Sequence, residues 1–153
     1  MRLVCEYIKR LKWSLNKMKT IVITIFLILS TLIDLRKKEV NISLCISVAL
    51  VGLIYEIFIS KTDILSIILG ILPGMFLMLT SIVTNEEIGK GDAAILSTIG
   101  IFLGLKKTIL VLIYALFSTI IIGGILLLIR KKNKKYKIPF VPFILFSYIA
   151  LCI

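Results

Sequence analysis

Six apolar segments, separated by short charged stretches, occupy most of this chain of 153 residues. Two of them, residues 40–60 and 64–83, are each close to the roughly 20 residues that a helix needs to cross the hydrocarbon core of a bilayer. The other four cover residues 20–33, 88–105, 108–129 and 138–153. The first and the fourth reach spanning length only with flanking polar residues, and the last is short. The pattern predicts an all-α integral membrane protein with about six transmembrane helices.

The composition supports a membrane location. Hydrophobic residues make up 59% of the chain, and the mean hydropathy is +1.11, which leaves too few polar residues to cover a soluble domain. The net charge of +11 comes from basic residues that lie between the apolar segments rather than on one face of a soluble domain. We therefore expect membrane lipids with anionic headgroups as their counterpart, and no nucleic acid.

The chain contains no histidine, which excludes histidine triads, histidine metal sites and histidine proton shuttles. Its three cysteines, Cys5, Cys45 and Cys152, are far apart and mostly lie among apolar residues, so we expect neither a disulfide nor a metal site. No cofactor is predicted. Acid–base chemistry would then depend mainly on carboxylates, with lysine, tyrosine and cysteine as weaker candidates.

The N-terminus has two interpretations. Residues 1–17 form a basic amphipathic extension that would lie on a membrane surface. Alternatively, translation starts at Met18, which is followed directly by the first apolar segment. In both cases, residues 18–153 form the membrane domain.

The third apolar segment contains small residues at helical spacing. Gly70 and Gly74 lie four residues apart, with Pro73 between them. This spacing permits close approach of a neighbouring helix, and the proline permits a kink. The alternative is the ordinary use of small residues in membrane helices.

Two aspartates lie at the ends of apolar segments. Asp34 closes the first segment, and Asp92 opens the fourth within a glycine-rich loop. Two complete crossings separate them, so they are predicted to face the same membrane surface at similar depth. A carboxylate in such a place is costly and marks a candidate functional site. Glu56, near the end of the second segment, has a simpler explanation, because its side chain can extend to the interface.

The two aspartates differ in their helical setting. Asp92 lies at a helix N-terminus, which stabilises an anion, whereas Asp34 lies at a helix C-terminus, which does not. If the two carboxyl groups meet, one would remain ionised while the other holds a proton, as a general base and a general acid require. The sequence does not assign the two roles.

The basic residues predict the orientation of the chain. Ten lie on the side of the aspartates, against three on the other side, Lys61, Lys106 and Lys107. By the positive-inside rule, the aspartates face the cytoplasm. The six basic residues in positions 1–19 lie on the other side and reduce this difference, unless the chain starts at Met18.

Three ordered motifs resemble those of the type IV prepilin peptidases, the GxGD membrane aspartyl proteases. The sequence Gly-Lys-Gly-Asp ending at Asp92 resembles the GxGD element. Asp34-Leu-Arg, followed by Val40-Asn41, resembles the first aspartate motif, and residues 138–143, Ile-Pro-Phe-Val-Pro-Phe, resemble the signature that opens the last helix. The chain lacks the paired CxxC motifs of the bifunctional members, so it resembles the short, peptidase-only form.

This resemblance implies a protease of the cell membrane that cuts leader peptides from pilin-like precursors at the cytoplasmic face. Asp34 and Asp92 would activate water without a metal or cofactor. The chain departs from the family pattern at Ala94, where a lysine is usual, and at Asn41, where the first motif usually has a proline. Two alternatives stay open: an inactive relative that binds pilin-like or other membrane helices, and a small proton-coupled transporter.

Overall fold

The chain folds into helices. The computed structural model describes residues 2–37, 40–84, 89–130 and 139–152, and within these ranges there is no β-strand. Helix α2 continues into a π-helical turn, Tyr55–Ile59. The five helices are α1 (Arg2–Lys37), α2 (Ile42–Ile54), α3 (Ile64–Val83), α4 (Lys90–Arg130) and α5 (Val141–Cys152).

Four stretches of helix are long and apolar enough to cross a membrane, which confirms the predicted all-α membrane architecture. They are Trp13–Arg36, Ile42–Ile59, Ile64–Val83 and Lys90–Ile125, and Val141–Leu151 is a shorter apolar helix. The predicted N-terminal extension, residues 2–17, continues without a break into the first apolar segment as part of α1. In the described part of the chain, large apolar side chains cover the outer helix faces, as contact with lipid requires.

Helix α4 combines the fourth and fifth predicted segments. Its 41 residues would extend for about 60 Å if straight, twice the thickness of a bilayer core. Gly104 interrupts it with φ 70° and ψ 172°, a conformation that side chains other than glycine rarely adopt. The exposed Lys106 and Lys107 follow this break directly. The structure thus has a glycine break where the sequence predicted a short loop, and the count of six spans stays a prediction.

Helices α3 and α4 form the most extensive contact in the described structure. A Cβ atom built on Gly70 would overlap the carbonyl oxygen of Gly100, and one built on Gly100 would overlap that of Gly70. A Cβ on Gly74 would overlap Ser97. The predicted close approach at Gly70 and Gly74 is therefore confirmed, with α4 as the partner helix.

The remaining helices pack around α4. Helix α2 packs against α4, where the Thr98 hydroxyl lies 3.4 Å from the Cys45 carbonyl oxygen, and Gly52 leaves room for the ring of Phe102. Helix α1 packs mainly against α5 and touches α4 only slightly. A shared apolar core joins the helices, with Leu27 of α1, Leu96 and Ile99 of α4 and Ile144 of α5 fully buried, among others.

Candidate active site

Asp34 lies close to the end of α1 with its side chain 6% exposed. Its Oδ2 atom accepts a hydrogen bond of 3.3 Å from the backbone N–H of Val141. Val141 is the first residue of α5, so its N–H has no acceptor within its own helix. The Asp34 carboxylate therefore caps the N-terminus of α5, where the helix dipole favours negative charge.

The proline-containing motif before α5 explains this cap. Pro139 and Phe140 precede the helix, and the Phe140 carbonyl accepts N–H bonds from Phe143 at 3.0 Å and from Ile144 at 3.3 Å. Pro142, in the first turn, lacks an N–H group, which costs nothing at this position. The Val141 N–H is thus left for Asp34. Ile138, the first residue of the motif, lies outside the described residues.

Asp92 lies in the first turn of α4 and is partly buried. Its backbone N–H bonds to the Gly89 carbonyl at 3.0 Å. A Cβ atom on Gly89 would lie only 2.9 Å from Oδ2 of Asp92, and a Cβ on Gly91 would overlap the side chain of Val40. The Gly-x-Gly-Asp spacing therefore lets the loop pass close to both the carboxylate and the start of α2.

The two predicted aspartates lie close enough for one to influence the other. The Asp34 charge acts on the Asp92 carboxyl group, so the two side chains belong to one electrostatic site. Val40 lies against Gly91, which joins the loop after α1 to the start of α4. Two carboxyl groups in one partly buried site tend to share a proton, and such a pair can act on a bound water as base and acid.

The structure places one more helix N-terminus at the two aspartates than the sequence predicted. The prediction placed only Asp92 at a favourable helix N-terminus. The N-terminus of α5 supplies a second one at Asp34, through the Val141 N–H. A helix N-terminus thus favours negative charge at each of the two aspartates, and the unfavourable end of α1 is not the only helix terminus at Asp34.

A cleft of about 730 Å³ lies between the end of α1 and the start of α2. Ile33, the residue before Asp34, lines it, and so does Val40, which touches the residue before Asp92. Its other lining residues are mostly apolar, with polar groups among them: Leu29, Leu32, Arg36, Asn41, Ile42 and Ser43. The cleft thus borders a sequence neighbour of Asp34 and a residue that lies against the neighbour of Asp92, while neither aspartate is among its described lining residues.

Two residues depart from the motif pattern noted above, and the structure describes both. Asn41 is the N-cap of α2, and its side-chain Oδ1 accepts the Ser43 N–H at 3.1 Å. An asparagine caps a helix well, so this position keeps a defined helix start without proline. Ala94 is half-buried in α4, one turn from the Thr98 hydroxyl that bonds to its carbonyl oxygen at 2.8 Å.

The sequence-based explanation of Glu56 is wrong. Its side chain is 1% exposed and does not extend to the interface. It pairs with Lys19 of α1 instead, with a shortest N–O distance of 2.7 Å. The partners are 37 positions apart, and a lysine at the start of an apolar segment was the only available signal.

The long apolar helices define a multi-pass membrane protein, and two of these helices each carry an aspartate near one end. Residues 21–128, a range that includes both aspartates, match the type IV leader peptidase family, and the chain belongs to that family. The match ends before α5. Comparisons with curated proteins and with solved structures gave no significant match.

Proposed function

We propose that this protein is a membrane aspartyl endopeptidase that removes the leader peptide from pilin-like precursors. One observation carries the proposal. In a chain of the type IV leader peptidase family, Asp34 and Asp92 lie on different helices beside two helix N-termini, and the charge of Asp34 acts on the Asp92 carboxyl group. The resemblance of the aspartate motifs to those of prepilin peptidases supports the same assignment.

The two carboxyl groups supply both proton transfers that peptide hydrolysis needs. The ionised one takes a proton from a water molecule as the water oxygen forms a bond to the scissile carbonyl carbon. The protonated one then gives its proton to the amide nitrogen as the C–N bond breaks. The products are a new carboxyl group and a free amine, and the pair returns to its starting charge. The N–H of Val141 and the start of α4 stabilise the single negative charge throughout.

The precursor would approach through the cleft between α1 and α2. A pilin-like precursor carries a basic leader followed directly by an apolar helix. The mostly apolar lining of the cleft suits such a helix, and two of its lining residues, Ile33 and Val40, neighbour Asp34 in sequence and Gly91 in space. The scissile bond, at the junction of leader and helix, would then lie at the carboxyl pair.

The aspartates would face the cytoplasm. If α4 crosses the membrane twice, with its turn at Gly104, the chain has six spans. The loops on the aspartate side then hold ten basic residues, against Lys61, Lys106 and Lys107 on the other side. This is the distribution that the positive-inside rule associates with a cytoplasmic face.

The test is co-expression of the chain with a pilin-like precursor that has a basic leader, a glycine and an apolar helix. We expect the wild type to shorten the precursor, with mass spectrometry placing the new N-terminus directly before the apolar helix. Asp34→Asn and Asp92→Asn should abolish the product while remaining in the membrane fraction. Asp63→Asn is the matched control, because this exposed residue makes no capping hydrogen bond with its side chain. Failure of the wild type to cut any such precursor would contradict the proposal.

A further inference from the structure

A buried ion pair ties α1 to the end of α2, away from the aspartates. The Lys19 Nζ atom lies 2.7 Å from Oε1 of Glu56 and 2.9 Å from Oε2. The Glu56 side chain is 1% exposed and that of Lys19 is 16% exposed. Two charges removed from water in this way are costly unless each contacts the other closely. The pair therefore fixes one point on α1 relative to α2.

The backbone around Glu56 is folded to hold this carboxylate. Glu56 lies in the π-helical turn, and such turns are rare and frequently functional. The Thr62 hydroxyl donates to Oε2 at 2.5 Å, and the Thr62 N–H donates to the Glu56 carbonyl at 2.9 Å. Lys61, between them, has a positive φ of 50°. The neighbouring Tyr55 hydroxyl donates to the Leu15 carbonyl of α1 at 3.1 Å, a second tie between the same elements.

Helix α1 packs mainly against α5 and touches α4, which carries Asp92, only slightly. The Lys19–Glu56 and Tyr55–Leu15 contacts add a tie to the end of α2, which itself packs on α4. The axial position of α1 relative to α4 thus rests on α5 and on these ties. Asp34 follows Lys19 by 15 residues in the same helix, about 22 Å along its axis. Because a helix transmits displacement along its axis, a shift of α1 at Lys19 would move Asp34 relative to Asp92.

We propose that Glu56 is a positioning residue for the aspartate pair. Through Lys19 it sets the axial register of α1, so that the carboxyl group of Asp34 stays level with that of Asp92. This inference rests on the proposed peptidase function for its kinetic consequence only. The register itself is a property of the fold that can be measured separately.

The kinetic test compares Lys19→Met, Glu56→Gln and the double variant in vesicles that contain a pilin-like precursor. We expect Lys19→Met to lower kcat at least tenfold with KM within twofold, because it leaves the buried Glu56 without its cation. The double variant should recover part of this loss, because it removes both charges. Lys19→Arg should retain most of the rate. The control is Lys17→Met, the same change at an exposed lysine that lies over the Trp13 ring at 3.9 Å.

A pH profile separates positioning from simple support of the fold. Altered geometry of the pair should change the shape of the kcat profile in Lys19→Met, whereas a smaller folded fraction lowers only its height. Wild-type kcat in both single variants, or a profile that is lower but unchanged in shape, would overturn the proposal.

A distance measurement decides the register independently of catalysis. The native cysteines are first replaced, and spin labels are attached at Leu35→Cys on α1 and at Thr84→Cys beside α3, both exposed positions. The distance between the two labels measures the position of α1 relative to the α3–α4 pair. We expect Lys19→Met to shift or broaden this distance by at least about 1.5 Å, the rise of one helical residue, and Lys17→Met to leave it unchanged. An unchanged distance in Lys19→Met overturns the proposal. If the wild type cuts no precursor, the proposed peptidase function is wrong. The label distance then still tests whether Lys19 and Glu56 set the axial register of α1.

Discussion

At the residue scale, Gly89 and Gly91 are explained by a lack of room for a side chain, not by a backbone conformation that only glycine adopts. A side chain at Gly89 would crowd the Asp92 carboxylate, and one at Gly91 would overlap Val40. Neither position has the positive φ that Gly104 has. The spacing of the motif therefore follows from the close passage of the loop beside one carboxylate and one neighbouring side chain.

Gly91→Ala is predicted to lower the rate of precursor cleavage by about 10²-fold, the cost of a displacement of roughly 1 Å at a reacting group. Val40→Gly in the same chain should restore much of the rate, because it removes the Cβ and both methyl groups of Val40 that the new methyl group meets. Cleavage by both single variants and the double variant, measured at equal protein levels, checks this. A Gly91→Ala enzyme with wild-type activity would contradict the contact explanation.

Asn41→Ala is predicted to destabilise the fold by about 1 kcal/mol, because the Ser43 N–H loses its side-chain acceptor. Asn41→Asp keeps an oxygen in place and should stay within a few tenths of a kcal/mol of the wild type. Chemical denaturation in detergent micelles measures both. Equal losses of stability in Asn41→Ala and Asn41→Asp would show that the capping hydrogen bond is not what asparagine contributes at this position.

The sequence predicted that Asp34 and Asp92 face the same side of the membrane, but not which groups surround them. The count of crossings between Asp34 and Asp92 depends only on hydrophobic segments, which are easily read. The hydrogen bond from Val141 to Asp34 joins residues 107 positions apart, and it depends on how α5 packs against α1. The same holds for Lys19 and Glu56, because no local pattern marks a partner in another helix.

At the element scale, α3 and α4 are joined by small residues at helical spacing. The glycine spacing in α3 predicted a close helix contact, and the structure supplies Ser97 and Gly100 on α4 as the facing surface. Segment lengths also predicted where helices lie. They did not predict the π-helical turn or the break at Gly104, because both are backbone adjustments to tertiary contacts within apolar stretches that look uniform.

Gly70→Ala is predicted to destabilise the folded protein by about 1–3 kcal/mol, because the new methyl group meets the Gly100 carbonyl across the α3–α4 contact. Gly124→Ala is the matched control, since nothing lies within 4 Å of a Cβ at that position. Thermal unfolding in micelles should show a lower midpoint for Gly70→Ala only. Equal midpoints for the two variants would mean that the helices adjust without cost.

At the scale of the whole molecule, one polar site lies near the C-terminal end of α1 and a second lies near its middle. Asp34 lies near the end, and the Lys19–Glu56 pair lies about 22 Å away along the helix. Helix α1 packs mainly on α5 between them. The positioning proposed for Glu56 depends on this arrangement, in which one helix connects the two sites.

Labelling of single cysteines tests the proposed layout of the chain in the membrane. In a chain with its native cysteines replaced, Asp63→Cys and Lys106→Cys should react with an impermeant maleimide in intact cells, because both positions lie on the outer side of a six-span arrangement. Thr84→Cys should react only after the cells are opened. Labelling of Thr84→Cys in intact cells would reverse the orientation, and protection of Lys106→Cys there would contradict a turn at Gly104.

The most direct measurement of the central claim is the single-turnover rate of precursor cleavage by purified wild type, Asp34→Asn, Asp92→Asn and the double variant. Each single substitution should lower the rate by about 10²–10⁴-fold, the contribution of general acid–base catalysis. The double variant should be no slower than the slower single variant, because two groups that act as one unit fail together. A single variant that cuts at the wild-type rate, or a double variant whose loss is the product of two independent losses, would contradict the paired mechanism.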